Sequence, residues 1–89
     1  MKDYEAQHKA SCSAMRKFVC WLTIEGFGHE YIPESCVAMV MPLDQERVKE
    51  QLRKSGLAYG ISPHGVLRTR VLSVQELMYR DRIKGVWMP

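Results

Sequence analysis

The longest uninterrupted apolar run in this chain is six residues, Cys36-Val37-Ala38-Met39-Val40-Met41, and Pro42 closes it. A run that short cannot span a bilayer, which needs about 20 apolar residues. It can form one buried strand or a short buried helix, and periodicity does not choose between them. Pro42 ends either element, because the residue before proline is pushed out of the helical region. With 89 residues in all, the chain can build one core and little more. A single domain covering residues 1–89 is the expectation, with 1–16 as a mobile arm or docked helix. No internal repeat or dividing linker is apparent. The N-terminus lacks the apolar stretch of a signal peptide, so a cytoplasmic location is expected.

Up to Leu43 there are four basic and five acidic residues; from Asp44 onward there are nine and five. The overall +3 therefore belongs to the back half, where Arg68, Arg70, Arg80, Arg82 and Lys84 dominate. Such a footprint suits phosphates or an acidic protein surface. Cys12, Cys20 and Cys36 are odd in number and irregular in spacing. They are read as thiols and small buried hydrophobes, not as a disulfide framework. No close cysteine pair of metal-binding spacing occurs, although His8 or His29 could in principle converge with them; neither metal nor cofactor is expected.

Residues 18–24 alternate Phe18, Cys20, Leu22 and Ile24 with Val19, Trp21 and Thr23, which reads as a strand. Glu25-Gly26-Phe27-Gly28 supplies a turn, and His29–Ile32 would return as a second strand to make a hairpin. Asp44 is a suitable N-cap for a helix from Gln45, with Val48 and Leu52 inward and Gly56 either ending it or at a close contact inside it. Ser62-Pro63 reads as a second helix start, and Ser73-Val74-Gln75-Glu76 as a capping box opening a third helix. A strand over 66–74 competes with the helix there. The resulting fold class is α+β: an N-terminal strand or β-hairpin followed by a helical C-terminal half.

Residues 55–71 carry a further pattern. Gly56, Gly60, Ile61, Ser62 and Val66 fall where a helix-turn-helix places a small residue, a turn glycine, an aliphatic, a helix cap and an inward aliphatic. This segment resembles the helix-turn-helix of small phage-type and bacterial DNA-binding regulators. The resemblance implies that His64, Arg68 and Thr69 face the major groove of double-stranded DNA, with Arg68 on a guanine edge. Arg70, Arg80, Arg82 and Lys84 would hold phosphates, and a homodimer is expected if paired half-sites are read. Gly65 and the late Arg70 depart from the pattern. The function implied is a non-enzymatic regulator of transcription or recombination.

A protein-binding inhibitor or adaptor, comparable in size to phage-encoded inhibitors of host defence or repair complexes, is the other reading. It would use Tyr79 and Trp87, because aromatic residues and arginine are enriched at interfaces. No nucleophile elbow, phosphate loop or His-Glu-x-x-His occurs, so no enzyme is expected.

Overall fold

A computed structural model of the chain describes residues 3–41 and 45–87, with 81–87 described through their backbone alone. The order is α1 (Tyr4–Glu25), β1 (His29–Ile32), β2 (Val37–Val40), α2 (Gln45–Ser55), β3 (Tyr59–Ile61), β4 (Leu67–Arg70) and α3 (Val74–Trp87). The strands form one antiparallel sheet in the order β1-β2-β4-β3. No helix among the described residues is long and apolar enough to cross a membrane.

The chain opens on a helix, which overturns the expected N-terminal strand or hairpin. The physical reason lies in two periods that coexist in residues 12–24. Met15, Phe18 and Leu22 are spaced by three and four and are fully buried, whereas Ile24, a member of the alternating set, is 83% exposed. Only the helical period puts the large apolar groups on one side. Asp3 caps the start by accepting a hydrogen bond from the Ala6 amide at 3.0 Å. The return strand His29–Ile32 forms as expected, but its partner is β2, so residues 37–40 resolve as strand.

Residues 55–71 do not form a helix pair. Tyr59–Ile61 and Leu67–Arg70 are antiparallel strands, joined by a turn in which the Ser62 hydroxyl accepts from the amides of His64 and Val66. Ser62 thus organises a β-turn where a helix cap was expected. Gly65 lies at φ +83°, a left-handed conformation that a helix interior does not contain. The alternation Leu67/Thr69 inward and Arg68/Arg70 outward has the period of a strand, the alternative for 66–74.

The architecture also exposes a repeat that is hard to see in the letters. Leu22, Gly26, Phe27 and Pro33 recur as Leu52, Gly56, Leu57 and Pro63, thirty positions on. Each glycine ends its helix in the left-handed region, at φ +79° and +69°. In each, the following amide bonds back to the leucine carbonyl: Phe27 to Leu22 at 2.9 Å, Leu57 to Leu52 at 3.0 Å. These are the bonds of a glycine-terminated helix end. The chain is therefore two helix–strand–strand units followed by α3. The sheet order sets them side by side about an approximate two-fold axis between β2 and β4, where Met39 faces Arg68 in register. Between the equivalent cross-strand pairs Tyr31–Ala38 and Ile61–Leu67 lie six and five residues, so Ala38, Met39 and Val40 correspond to Leu67, Arg68 and Thr69.

One core joins Met15, Phe18 and Leu22 of α1, Val48 and Leu52 of α2, and Ala38, Val40 and Leu67 of the sheet. Because side chains alternate along a strand, α1 and α2 cover the face carrying these residues. The opposite face carries Glu30, Met39, Arg68 and Gly60 in one row, and Ile32, Val37 and Arg70 in the next. The helix from Gln45 forms as expected; its proposed cap Asp44, and Pro42, lie outside the described residues.

Substituting alanine for Gly26 or Gly56 strains only the backbone, since no atom lies within 4 Å of an added Cβ. Each is expected to cost about 1 kcal/mol, and by nearly equal amounts because the two sites are equivalent. Gly60→Ala, at ordinary φ and equally open, should stay within about 0.5 kcal/mol. Urea denaturation of the three variants measures this.

Candidate functional site

The alternation in β4 determines where the back-half arginines go. Leu67 and Thr69 turn into the core, and Arg68 and Arg70 stand on the uncovered face. Two adjoining hollows open beside them. One, of about 300 Å³, is lined by Ala58, Tyr59, Gly60, Arg68, Arg70 and Leu72. The other, of about 430 Å³, takes in Arg70, Leu72, Ser73, Gln75, Glu76, Tyr79 and Arg80. Sharing Arg70 and Leu72, they make one groove from the β3 edge to the first turns of α3. Gly60 and Ala58 keep the β3 end shallow. Tyr79 is 64% exposed at the other end.

The groove is held in shape by the start of α3. The expected capping box forms: Ser73 Oγ accepts from the Glu76 amide, and Glu76 Oε1 accepts from the Ser73 amide, both at 3.1 Å. The same carboxylate grips Arg70 in a two-pronged pair, at 2.7 Å and 2.9 Å. A fork of this kind fixes the plane of the guanidinium. Arg70 first, then the Ser73 amide, holds the Glu76 carboxyl down to about 2, and Glu76 in return raises Arg70. Arg68 and Arg80 have no ion-pair partner among the described residues.

Of the residues singled out in the sequence, Arg68, Arg70, Tyr79 and Arg80 converge on this groove. His64 does not: it sits in the exposed β3–β4 turn, at the far end of β4 from Arg70. Thr69 does not either. It is 2% exposed, and its hydroxyl donates to the Ala58 carbonyl at 2.7 Å. The side chains of Arg82, Lys84 and Trp87 lie outside the described residues. Sequence reasoning missed Leu72 and Gly60 as lining residues. It found Glu76 as a cap but not as the clamp on Arg70, a contact that exists only once β4 and α3 are adjacent.

No group of three or more metal-ligating side chains that could hold an ion occurs among the described residues. Comparison with known proteins finds no family whose model matches, no matching curated relative and no matching solved structure.

The lowered pKa of Glu76 implies a pH dependence of defined sign. A depressed carboxyl contributes stability above its ordinary value of 4.5 and loses it as pH falls through about 2. Thermal melts of wild type and Glu76→Gln should differ at pH 6 by a margin that shrinks across this window. The pair is exposed, so the difference should be modest and should diminish further in high salt.

Proposed function

We propose that this protein is a non-enzymatic binding module that holds an acidic segment of a partner protein in the groove between β4 and α3. The observation that carries this reading is the convergence of Arg68, Arg70, Arg80 and the exposed Tyr79 on one groove. Arginine and tyrosine are the residues most often found to dominate protein interfaces. Planar guanidinium groups pair with carboxylates through two parallel bonds, and Arg70 already makes such a pair with Glu76. Exposed Ile32 and half-buried Met39, on the same sheet face as Arg68 and Arg70, offer apolar contact for the flank of such a segment.

Charge favours an acidic protein over the phosphate backbone of DNA. Protein–DNA interfaces are much more positive than protein–protein ones. Here Glu76 neutralises Arg70, and Glu30 stands in the same row as Arg68. The module would act as an adaptor or inhibitor by occupying its partner's acidic segment.

Wild type and an Arg68→Glu/Arg80→Glu variant, used as matched affinity baits and each confirmed folded by circular dichroism, test the proposal. Wild type should retain one protein in fixed stoichiometry. Titration of that purified protein should show binding weakened at least about tenfold by the variant, equivalent to roughly 1.4 kcal/mol. Equal binding by both baits, or no protein specific to wild type, overturns it. Binding of mixed duplex DNA at low salt, lost in the same variant, would replace it with the nucleic-acid reading.

A further inference from the structure

The best-organised chemical group outside the groove is a pair of thiols with a histidine. Cys12 of α1 and Cys36 of the β1–β2 turn approach to 3.8 Å between sulfurs. His8, one turn before Cys12, places Nε2 at 3.5 Å from Cys12 Sγ. Its other nitrogen, Nδ1, lies 2.8 Å from the Leu72 carbonyl oxygen. A carbonyl only accepts, so Nδ1 carries the proton and Nε2 of the neutral ring is the acceptor facing the thiol. Cys36 is also the described non-glycine residue with positive φ, at +51°. That conformation turns the chain so that the side chain meets α1. These features were not legible in the sequence, where the cysteines are separated by irregular intervals.

We propose that Cys12 and Cys36 form a reversible disulfide site, oxidised by small disulfides bearing carboxylates. Cys36 lines an open hollow of about 500 Å³ that also takes in His8, Arg68, Arg70, Glu34 and Glu76; Glu76 holds Arg70, so Arg68 is the cation there left to meet a carboxylate of the disulfide. The Cys36 thiolate attacks one sulfur of the reagent. A mixed disulfide forms and the first reagent thiolate leaves, taking up the proton that Cys36 lost to solvent. Cys12 then passes its proton to His8 Nε2, and its sulfur attacks Cys36 Sγ. The second reagent thiolate leaves with the proton from His8. The protein loses two hydrogens and the reagent disulfide becomes two thiols. The sulfurs need only close from 3.8 Å to the bonded length of about 2 Å. Burial and the neighbouring Cys36 push the Cys12 thiol up, which suits the second, proton-assisted step better than the first attack. Cys20, exposed on α1, takes no part in the link.

Reduced full-length protein incubated with oxidised glutathione near neutral pH, then labelled with maleimide and mapped by mass spectrometry, tests this. The expected product carries a 12–36 link, having lost two hydrogens at these positions, and takes no label on Cys12 or Cys36. Cys12→Ser should instead keep glutathione on Cys36. His8→Gln should reach the wild-type product more slowly, with the Cys36 adduct accumulating on the way. The linked form should melt higher than the reduced form. Labelled thiols at Cys12 and Cys36, a lasting glutathione adduct on either of them in wild type, or links through Cys20 forming as readily as the 12–36 link each overturn the proposal.

Discussion

The antiparallel ladder between β2 and β4 is the junction on which the molecule rests. Each helix–strand–strand unit alone owns a two-stranded ribbon, and an isolated hairpin is at best marginally stable in water. Pairing Val37–Val40 with Leu67–Arg70 converts two ribbons into a four-stranded sheet. It also merges the apolar faces of α1 and α2 into one core, with Ala38, Val40 and Leu67 beneath Phe18, Leu22, Val48 and Leu52. For a chain this small, that merger is what makes enough buried surface available.

The same junction decides what the other face of the sheet presents. Once Leu67 and Thr69 are inward, Arg68 and Arg70 must be outward, because a strand offers no third direction. The arginines are thus held on a rigid surface and not on a mobile helix or loop. Helix α3, which has no counterpart in the repeat, then borders the groove, and Glu76 ties it to β4 through Arg70. One carboxylate therefore serves both as the helix cap and as the orienting partner of a groove residue.

The two units have diverged in how they use equivalent positions. Where the first has Met39, the second has Arg68; where the first turn places Cys36 in the left-handed region, the second has Gly65. Glycine adopts that conformation without penalty and cysteine does not. The first turn thus accepts some backbone strain to bring a thiol beside Cys12. Arginine and thiol lie on opposite sides of the repeat, yet both open on the hollow that holds Cys36, Arg68 and Arg70.

Local signals were decisive wherever one short stretch contained the whole instruction. The helix from Gln45, the return strand His29–Ile32 and the Ser73/Glu76 capping box are all legible in the letters, because each depends on neighbours within a few residues. The arginines of the groove were also identifiable as a charged cluster. The strand misread at 18–24 and the helix pair misread at 55–71 fail for a common reason. Short apolar stretches satisfy both a period of two and a period near 3.6, and only the tertiary core selects the one that buries Met15, Phe18 and Leu22 together. Likewise, no local rule places Thr69 inside and Arg68 outside; that follows from which face α1 and α2 cover. What the sequence alone determined was the inventory: one small core, a basic back half, and punctuation by glycine and proline. The tertiary structure decided the pairing of two similar units, and hence which arginines share a groove and which cysteines meet. Both depend on contacts between residues far apart in the chain.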